Sequence, residues 1–118
     1  MNGSIGLGQN LGFKECKPFK KGDHPLTAEF IKGYLAGLSG WKHSGKAIAK
    51  TFRFKDYYET IGFVNALAFI ANRENHHPGL EVDYKTCKVS YSSHELGGLS
   101  ENDFICATKI DELFKGPS

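Results

Sequence analysis

Helical and strand-like hydrophobic patterns alternate along this 118-residue chain: one helical segment precedes a pair of strand-like segments, and the same order then occurs again. A third helical segment ends the pattern. The links within each strand pair are short, which favours antiparallel hairpins over crossover connections. The resulting order, α-β-β-α-β-β-α, predicts an α+β plait in which three helices pack on one face of a four-stranded antiparallel sheet.

The first helix and the first hairpin have clear boundaries. Thr27 is a suitable N-cap, apolar residues recur at helical spacing over 30–38, and Ser39-Gly40 ends the helix. Alternating residues over 41–55 then predict two strands around a turn at 44–46.

The second helix is the most apolar segment of the chain. Asp56 and Glu59 have the spacing of a capping box, and Pro78 disfavours helical geometry at His77, so the helix should span 57 to about 75. Two adjoining apolar stripes cover this helix, which is more than one sheet face should bury, and they predict a subunit contact. The stripes comprise Tyr58, Ile61, Val64, Leu67 and Ala71, and Phe63, Ala66 and Ile70.

The second hairpin and the last helix complete the pattern. Period-two alternation predicts strands at 80–84 and 87–93, and such edge strands can pair across a two-fold axis. Gly97-Gly98 forms a loop, after which Ser100 and Asp103 have the spacing of a second helix cap.

The balance of charge narrows the range of partners. With 15 basic and 13 acidic residues, the net charge of +2 is too small for the strongly basic surface that nucleic acid usually requires. No apolar run approaches the roughly 20 residues of a transmembrane helix, and the amino terminus lacks the features of a secretory signal. We therefore expect a cytoplasmic domain with no membrane and no direct nucleic-acid partner.

The amino-terminal segment differs in composition from the rest. Four glycines in the first 12 residues and four lysines soon after predict a flexible tail over 1–23, ahead of a single domain over 24–115. A phosphate-binding arm is the alternative interpretation of the lysines. The three cysteines, Cys16, Cys87 and Cys106, have no CxxC spacing, so we expect reduced thiols, with Cys87 and Cys106 as buried apolar fillers.

Three histidines fall within 19 residues and are the candidates for chemistry. His76 and His77 lie where a helix breaks, and His94 lies where a strand ends. Histidine can gain and lose a proton near neutrality, which suits it to general acid–base catalysis. A metal site is disfavoured because there is no HExxH motif and adjacent histidines at a helix break rarely converge on one ion. Taken singly, each histidine also fits an ordinary surface position, and Asp103 also fits a simple helix cap.

Two longer runs give the histidines a context. The run ENHHPGLEVDY at 74–84, followed by YSSHELGGLSENDF at 91–104, closely resembles the signature of the pterin-4a-carbinolamine dehydratases. The dipeptide GW at 40–41, FRFKDY at 52–57 and ATKIDEL at 107–113 fit the same family. This resemblance covers about residues 26–114 and implies the family's α+β plait, with a four-stranded sheet and three helices.

The resemblance implies a reaction and its partners. The family dehydrates 4a-hydroxytetrahydropterin, which aromatic amino acid hydroxylases leave behind, to quinonoid dihydropterin in the recycling of tetrahydrobiopterin. The 4a-hydroxyl must be protonated as it leaves, the N5 proton must be removed, and the flat ring must be held in place. Histidines meet these demands without a metal or organic cofactor. The implied partners are the pterin substrate, further copies of the chain as a homodimer or homotetramer, and a hydroxylase of the same pathway.

The family's three active-site histidines match His76, His77 and His94. We expect His76 and His94 to flank the 4a position as acid and base, and His77 mainly to hold the pterin. Asp103 matches an aspartate expected to orient a histidine. The remaining residues that match the pterin-binding segments are Asn75, Ser92, Ser93 and Glu95.

The chain departs from the family pattern at several pocket positions. Asn72 stands where an acid is frequent, Asn75 where many members have aspartate, Ser93 where threonine is usual, and Leu80 where an aromatic residue can occur. Some members also serve as dimerisation cofactors of a homeodomain transcription factor, which is the alternative function. A pure binding module would not need all three histidines, so their joint presence favours an enzyme.

Overall fold

The computed structural model describes residues 11–115 of the chain. Within this range, four strands form one antiparallel sheet and three α-helices accompany it, which confirms the predicted α+β plait. The strands are β1 (Lys42–Ser44), β2 (Ala47–Arg53), β3 (Gly79–Val82) and β4 (Thr86–Tyr91), and the helices are α1 (Ala28–Leu35), α2 (Tyr57–Glu74) and α3 (Glu101–Lys115). None of the helices within 11–115 is long and apolar enough to cross a membrane.

The sheet has the strand order β1-β2-β4-β3, so β2 and β4 are central and β1 and β3 are the edges. The central pair runs in register from Ile48 opposite Tyr91 to Arg53 opposite Thr86. Alternate residues of both strands point into one core shared with the helices. Cys87 and Cys106 are fully buried in this core, as predicted, and none of the three thiols forms a disulfide.

Helix α2 begins and ends where local chemistry predicts. The Asp56 carboxylate accepts the Glu59 N–H at 2.9 Å, and the Glu59 carboxylate accepts the Lys55 N–H at 3.2 Å. The helix ends at Asn75, which adopts the left-handed conformation with φ of 53°. Asparagine tolerates this conformation better than other residues with a Cβ, and it turns the chain sharply before His76.

The buried face of α2 differs from the predicted stripes. The fully buried positions are Thr60, Phe63, Leu67 and Ala71, whereas Tyr58 is 86% exposed, so the predicted stripe that starts at Tyr58 is wrong at its first turn. Thr60 is buried at this turn in place of Tyr58. Its hydroxyl shares its hydrogen between the backbone carbonyls of Asp56 and Tyr84, both at 3.0 Å. A polar residue bonded in this way can be buried at little cost.

Several elements are shorter than their patterns predict. Helix α1 ends at Leu35 and not near Leu38, β3 ends at Val82, and β4 ends at Tyr91. In the second hairpin, the Asp83 N–H donates to the Thr86 carbonyl at 2.8 Å, so the residues after Val82 form a tight turn and do not extend the strand. Backbone hydrogen bonding, and not side-chain alternation, sets these ends.

The amino-terminal segment contradicts the expectation of a solvated tail where it is described. Residues 1–10 lie outside the described residues, but Leu11–Phe13 forms a short 3-10 turn against α3, and Leu11 is only 1% exposed. Leu11 joins the main core, and Cys16 packs against it. One buried leucine and one half-buried cysteine therefore outweigh the glycine and lysine content that predicted a tail.

Candidate active site

The end of α2, the end of β4 and the start of α3 meet around His76. The left-handed Asn75 directs the chain so that the His76 N–H donates back to the Ala71 carbonyl at 3.1 Å. The His76 ring stacks on the Tyr91 ring with centroids 5.0 Å apart, and the Tyr91 hydroxyl donates to the His76 carbonyl at 3.1 Å. The imidazole is thus fixed by a strand and by its own helix end.

Asp103 is the polar centre of this arrangement. Its side chain is fully buried, and its Oδ1 lies 2.6 Å from Nε2 of His76. Its Oδ2 accepts the Ser93 hydroxyl at 2.8 Å and the Ser100 N–H at 2.9 Å. The sequence suggested two interpretations of Asp103, a helix cap and a partner of histidine, and the side chain makes both sets of contacts.

Asp103 also controls the charge of the histidine. Burial lowers the pKa of His76, but the hydrogen bond to Asp103 and the negative charge of Asp103 together outweigh burial and raise the pKa above its ordinary value. Because Nε2 is bonded to Asp103, the ring nitrogen left for a ligand is Nδ1. Such an imidazolium can deliver a proton near neutral pH.

His76 lines a cavity of about 360 Å³, a volume within the range of small-molecule sites. Asn75 and Glu95, two further residues of the predicted set, line the same cavity. A further part of its wall comes from the amino-terminal segment, through Cys16, Lys17, Pro18 and Phe19.

The other two histidines lie apart from this cavity. His77 lines a separate groove between α2 and β3, together with Pro78 and Leu80. His94 begins a 3-10 turn, is exposed, and has Nε2 3.3 Å from the Ser92 hydroxyl. A single subunit therefore does not bring all three predicted histidines into one cavity.

Ser93 differs from its predicted place among the pterin-binding residues. It is only 1% exposed, and its hydroxyl is 2.7 Å from that of Ser100 in addition to its bond to Asp103. Its side chain thus supports Asp103 and does not line the cavity of His76.

Sequence reasoning missed Tyr91 and the amino-terminal wall. Tyr91 was visible only as an inward-facing strand residue, although it directly precedes the SSHE run. No periodicity marks Lys17 or Phe19, although the segment contains the apolar residues Leu11, Phe13 and Phe19.

Comparison with known proteins identifies the family of the chain. The family model described as pterin 4 alpha carbinolamine dehydratase matches residues 24–113. A relative from Nitrosospira multiformis is 52% identical over 106 residues, covering 90% of this chain and 94% of the relative. One from Bdellovibrio bacteriovorus is 57% identical over 95 residues, covering 77% and 79%. Both carry the provisional name pterin-4-alpha-carbinolamine dehydratase.

Solved structures of a pterin dehydratase and of a related protein have the same fold as this chain. A transcriptional coactivator/pterin dehydratase from Brucella melitensis superposes with a TM-score of 0.74 at 29% identity, covering 79% of this chain and all of that chain. A pterin dehydratase-like RuBisCO assembly factor, 22% identical with a TM-score of 0.54 and covering 66% of this chain and 89% of that one, shares the fold. The chain belongs to the pterin 4 alpha carbinolamine dehydratase family.

Proposed function

We propose that this protein is a dehydratase that converts 4a-hydroxytetrahydropterin to quinonoid dihydropterin and water, in the recycling of tetrahydrobiopterin after aromatic amino acid hydroxylation. The observation that carries the proposal is His76, which lines a cavity of suitable size and is paired with the buried Asp103 behind it. Family membership supplies the substrate class. Because its pKa is raised, the His76 imidazolium can supply the proton that the reaction needs.

The reaction needs one proton donated and one removed. The His76 imidazolium gives its proton to the 4a-hydroxyl as the C4a–O bond breaks, because hydroxide alone is a poor leaving group. A base removes the N5 proton, and the electron pair left on N5 forms the C4a=N5 bond. We assign this second step to His94, which is exposed next to the cavity-lining Glu95, and exchange of protons with solvent then restores both histidines.

The supporting residues have distinct roles in this proposal. Asp103 stabilises the imidazolium and fixes its ring, and the stacked Tyr91 limits the ring to one orientation. Asn75 and Glu95 contribute polar atoms to the cavity wall, and the Ser92 hydroxyl holds the His94 ring. We assign pterin holding to His77, whose groove between α2 and β3 shares Arg73 with the cavity of His76. The chemistry assigned to these groups is proton transfer alone, so the proposal includes no metal or organic cofactor.

Self-association is part of the proposal. All four residues of the edge strand β3 are exposed, and the neighbouring face of α2 carries Phe69, which is 67% exposed. Leu80 and Val82 add apolar surface to this face at 37% and 43% exposure. Contiguous apolar surface beside an unpaired strand edge favours a homodimer or homotetramer. Such an assembly would place a second subunit beside the groove that contains His77.

A stopped-flow assay tests the activity directly. Freshly made 4a-hydroxytetrahydropterin is mixed with the protein, and its loss is followed against the uncatalysed reaction. We expect acceleration that survives exhaustive chelation. Activity that disappears on chelation and returns with zinc would contradict the cofactor-free mechanism. No acceleration at all would favour the alternative, a dimerisation cofactor that binds a transcription factor through its exposed helix face.

A further inference from the structure

The segment before the family-matched region, residues 11–19, is here called the arm. The start of the arm is anchored on α3. Leu11 is buried at 1% exposure, and the Lys109 ammonium donates to the Gly12 carbonyl at 2.9 Å. Lys14 pairs with Glu101 at 3.0 Å. These contacts hold the arm along α3 as it runs towards the cavity that contains His76.

The middle of the arm is clamped from two helices. The Asn102 side chain donates to the Lys17 carbonyl at 2.8 Å and accepts the Lys17 N–H at 3.1 Å, so it satisfies both backbone groups of one residue. The Cys16 N–H donates to the Glu74 carboxylate at 2.8 Å, and Cys16 Sγ lies 3.5 Å from Cys106 Sγ. Three hydrogen bonds to the backbone of two residues fix the arm here, and the thiol–thiol contact adds a fourth tie to α3.

The contacts at Cys16 and Lys17 determine where the residues that follow them lie. Lys17, Pro18 and Phe19 line the same 360 Å³ cavity as His76 and Glu95. Phe19 is half-buried and also borders a second groove with Leu26 and Leu96, and none of the aromatic pairs within residues 11–115 includes it. A large apolar ring held on the wall of a polar cavity, without a partner, offers a surface to a flat ligand.

We propose that Phe19 is a substrate-binding residue, and that its ring packs against the pterin while His76 acts on the 4a-hydroxyl. The inference rests on the proposed dehydratase function and extends the site to a residue outside the family-matched region, which begins at residue 24. The arm supplies affinity and ring placement, and the histidines supply proton transfer.

The kinetic consequence is specific to binding. A group that contacts the substrate equally in the ground state and the transition state changes KM and leaves kcat unaltered. Aromatic packing is worth roughly a 2- to 13-fold change in affinity. We therefore expect Phe19→Ala to raise KM by about that factor with kcat within about two-fold of wild type, and Phe19→Trp to restore KM.

Phe13→Ala is the matched control. Phe13 belongs to the same arm but is 90% exposed and does not line the cavity, so its removal should leave KM unchanged. Urea denaturation of both variants checks that the arm remains folded on α3. Equal KM values for wild type, Phe19→Ala and Phe13→Ala, with all three folded, would overturn the proposal.

A binding measurement separates this proposal from the proposed function. Biopterin has no 4a-hydroxyl and cannot react, and its affinity can be followed by fluorescence. Weaker biopterin binding by Phe19→Ala, together with no acceleration by wild type, would refute the dehydratase function and support the role of Phe19 in pterin binding. Acceleration by wild type with unaltered biopterin affinity in Phe19→Ala would retain the enzyme and refute the role of Phe19.

Discussion

At the scale of single residues, the contact between Asp103 and His76 sets the protonation state on which the proposed reaction depends. Burial lowers the pKa of His76, but Asp103 outweighs burial, so the acid form persists to higher pH than in an isolated histidine. Because the imidazolium is the acid, kcat/KM should fall as pH rises through this pKa. Asp103→Asn removes the charge, and we expect this alkaline limb to move to lower pH. Rate profiles of the two proteins over pH 5–9 measure the shift.

His76→Ala is the control for that profile. It should lose the alkaline limb altogether and lower kcat by about 10²–10⁴-fold, the usual contribution of a general acid or base. An unchanged limb in both variants would assign the titration to another group.

The same contact predicts how stability depends on pH. A pKa that is raised in the folded state stabilises the fold fully below the unfolded value of about 6.5, and this contribution is lost as pH rises through the folded pKa. The unfolding free energy of wild type should therefore approach that of His76→Ala as pH increases from 6 to 9. Urea denaturation of both proteins across this range tests the prediction, and a gap that widens with pH would contradict it.

Substitution of the other two histidines should change different kinetic parameters. His94→Ala should lower kcat, since His94 is assigned to the N5 proton, whereas His77→Ala should mainly raise KM. His94 is exposed, so alanine there should cost under about 1 kcal/mol of stability. His76→Ala should cost more, about 1–3 kcal/mol, because it leaves the buried Asp103 without one of its partners. Near-normal turnover in all three folded variants would refute the catalytic assignment.

At the scale of secondary-structure elements, the carboxyl end of α2 depends on the left-handed Asn75. A β-branched residue is poorly accommodated in this conformation, so Asn75→Val should lower the free energy of unfolding by about 1–2 kcal/mol. Asn75→Gly should be tolerated, because glycine adopts the conformation freely. Urea denaturation compares the two, and equal stability of Asn75→Val and Asn75→Gly would show that the turn relaxes.

Local patterns explain which elements were predictable from the sequence. The caps at Asp56 and Ser100 and the turn after Ser44 use short-range chemistry, and the structure has all three where they were predicted. Burial of Thr60 and packing of the arm depend on partners far along the chain, at Tyr84 and on α3, which periodicity does not encode.

The candidate site was predictable to a similar extent. The sequence identified His76 and Asp103 separately, and the resemblance linked them, but only the folded chain brings them to 2.6 Å. The placement of His77 in a different groove from His76 could not be predicted, because it depends on which elements pack on either side of the chain after Asn75.

At the scale of the whole molecule, the apolar face formed by α2 and β3 predicts self-association. Phe69→Glu places a charge in the middle of this face and should shift the protein towards the 13.0 kDa monomer. Phe30→Glu is the matched control, since Phe30 is 52% exposed on α1, and it should leave the assembly intact. Light scattering at micromolar concentration measures both variants, and a monomeric wild type would contradict the prediction.

The double role of Asp103 ties the chemistry of the site to the integrity of one helix turn. The same carboxylate holds the first turn of α3 through Oδ2 and the His76 imidazole through Oδ1. If that turn frays on warming, the imidazole loses its counter-charge before the core melts. The pKa of His76, followed by NMR, would then fall back towards 6.5 as temperature rises. Activity would then be lost because His76 is deprotonated while the fold is still intact. One helix end, and not the melting point, would therefore set the upper working temperature of the enzyme.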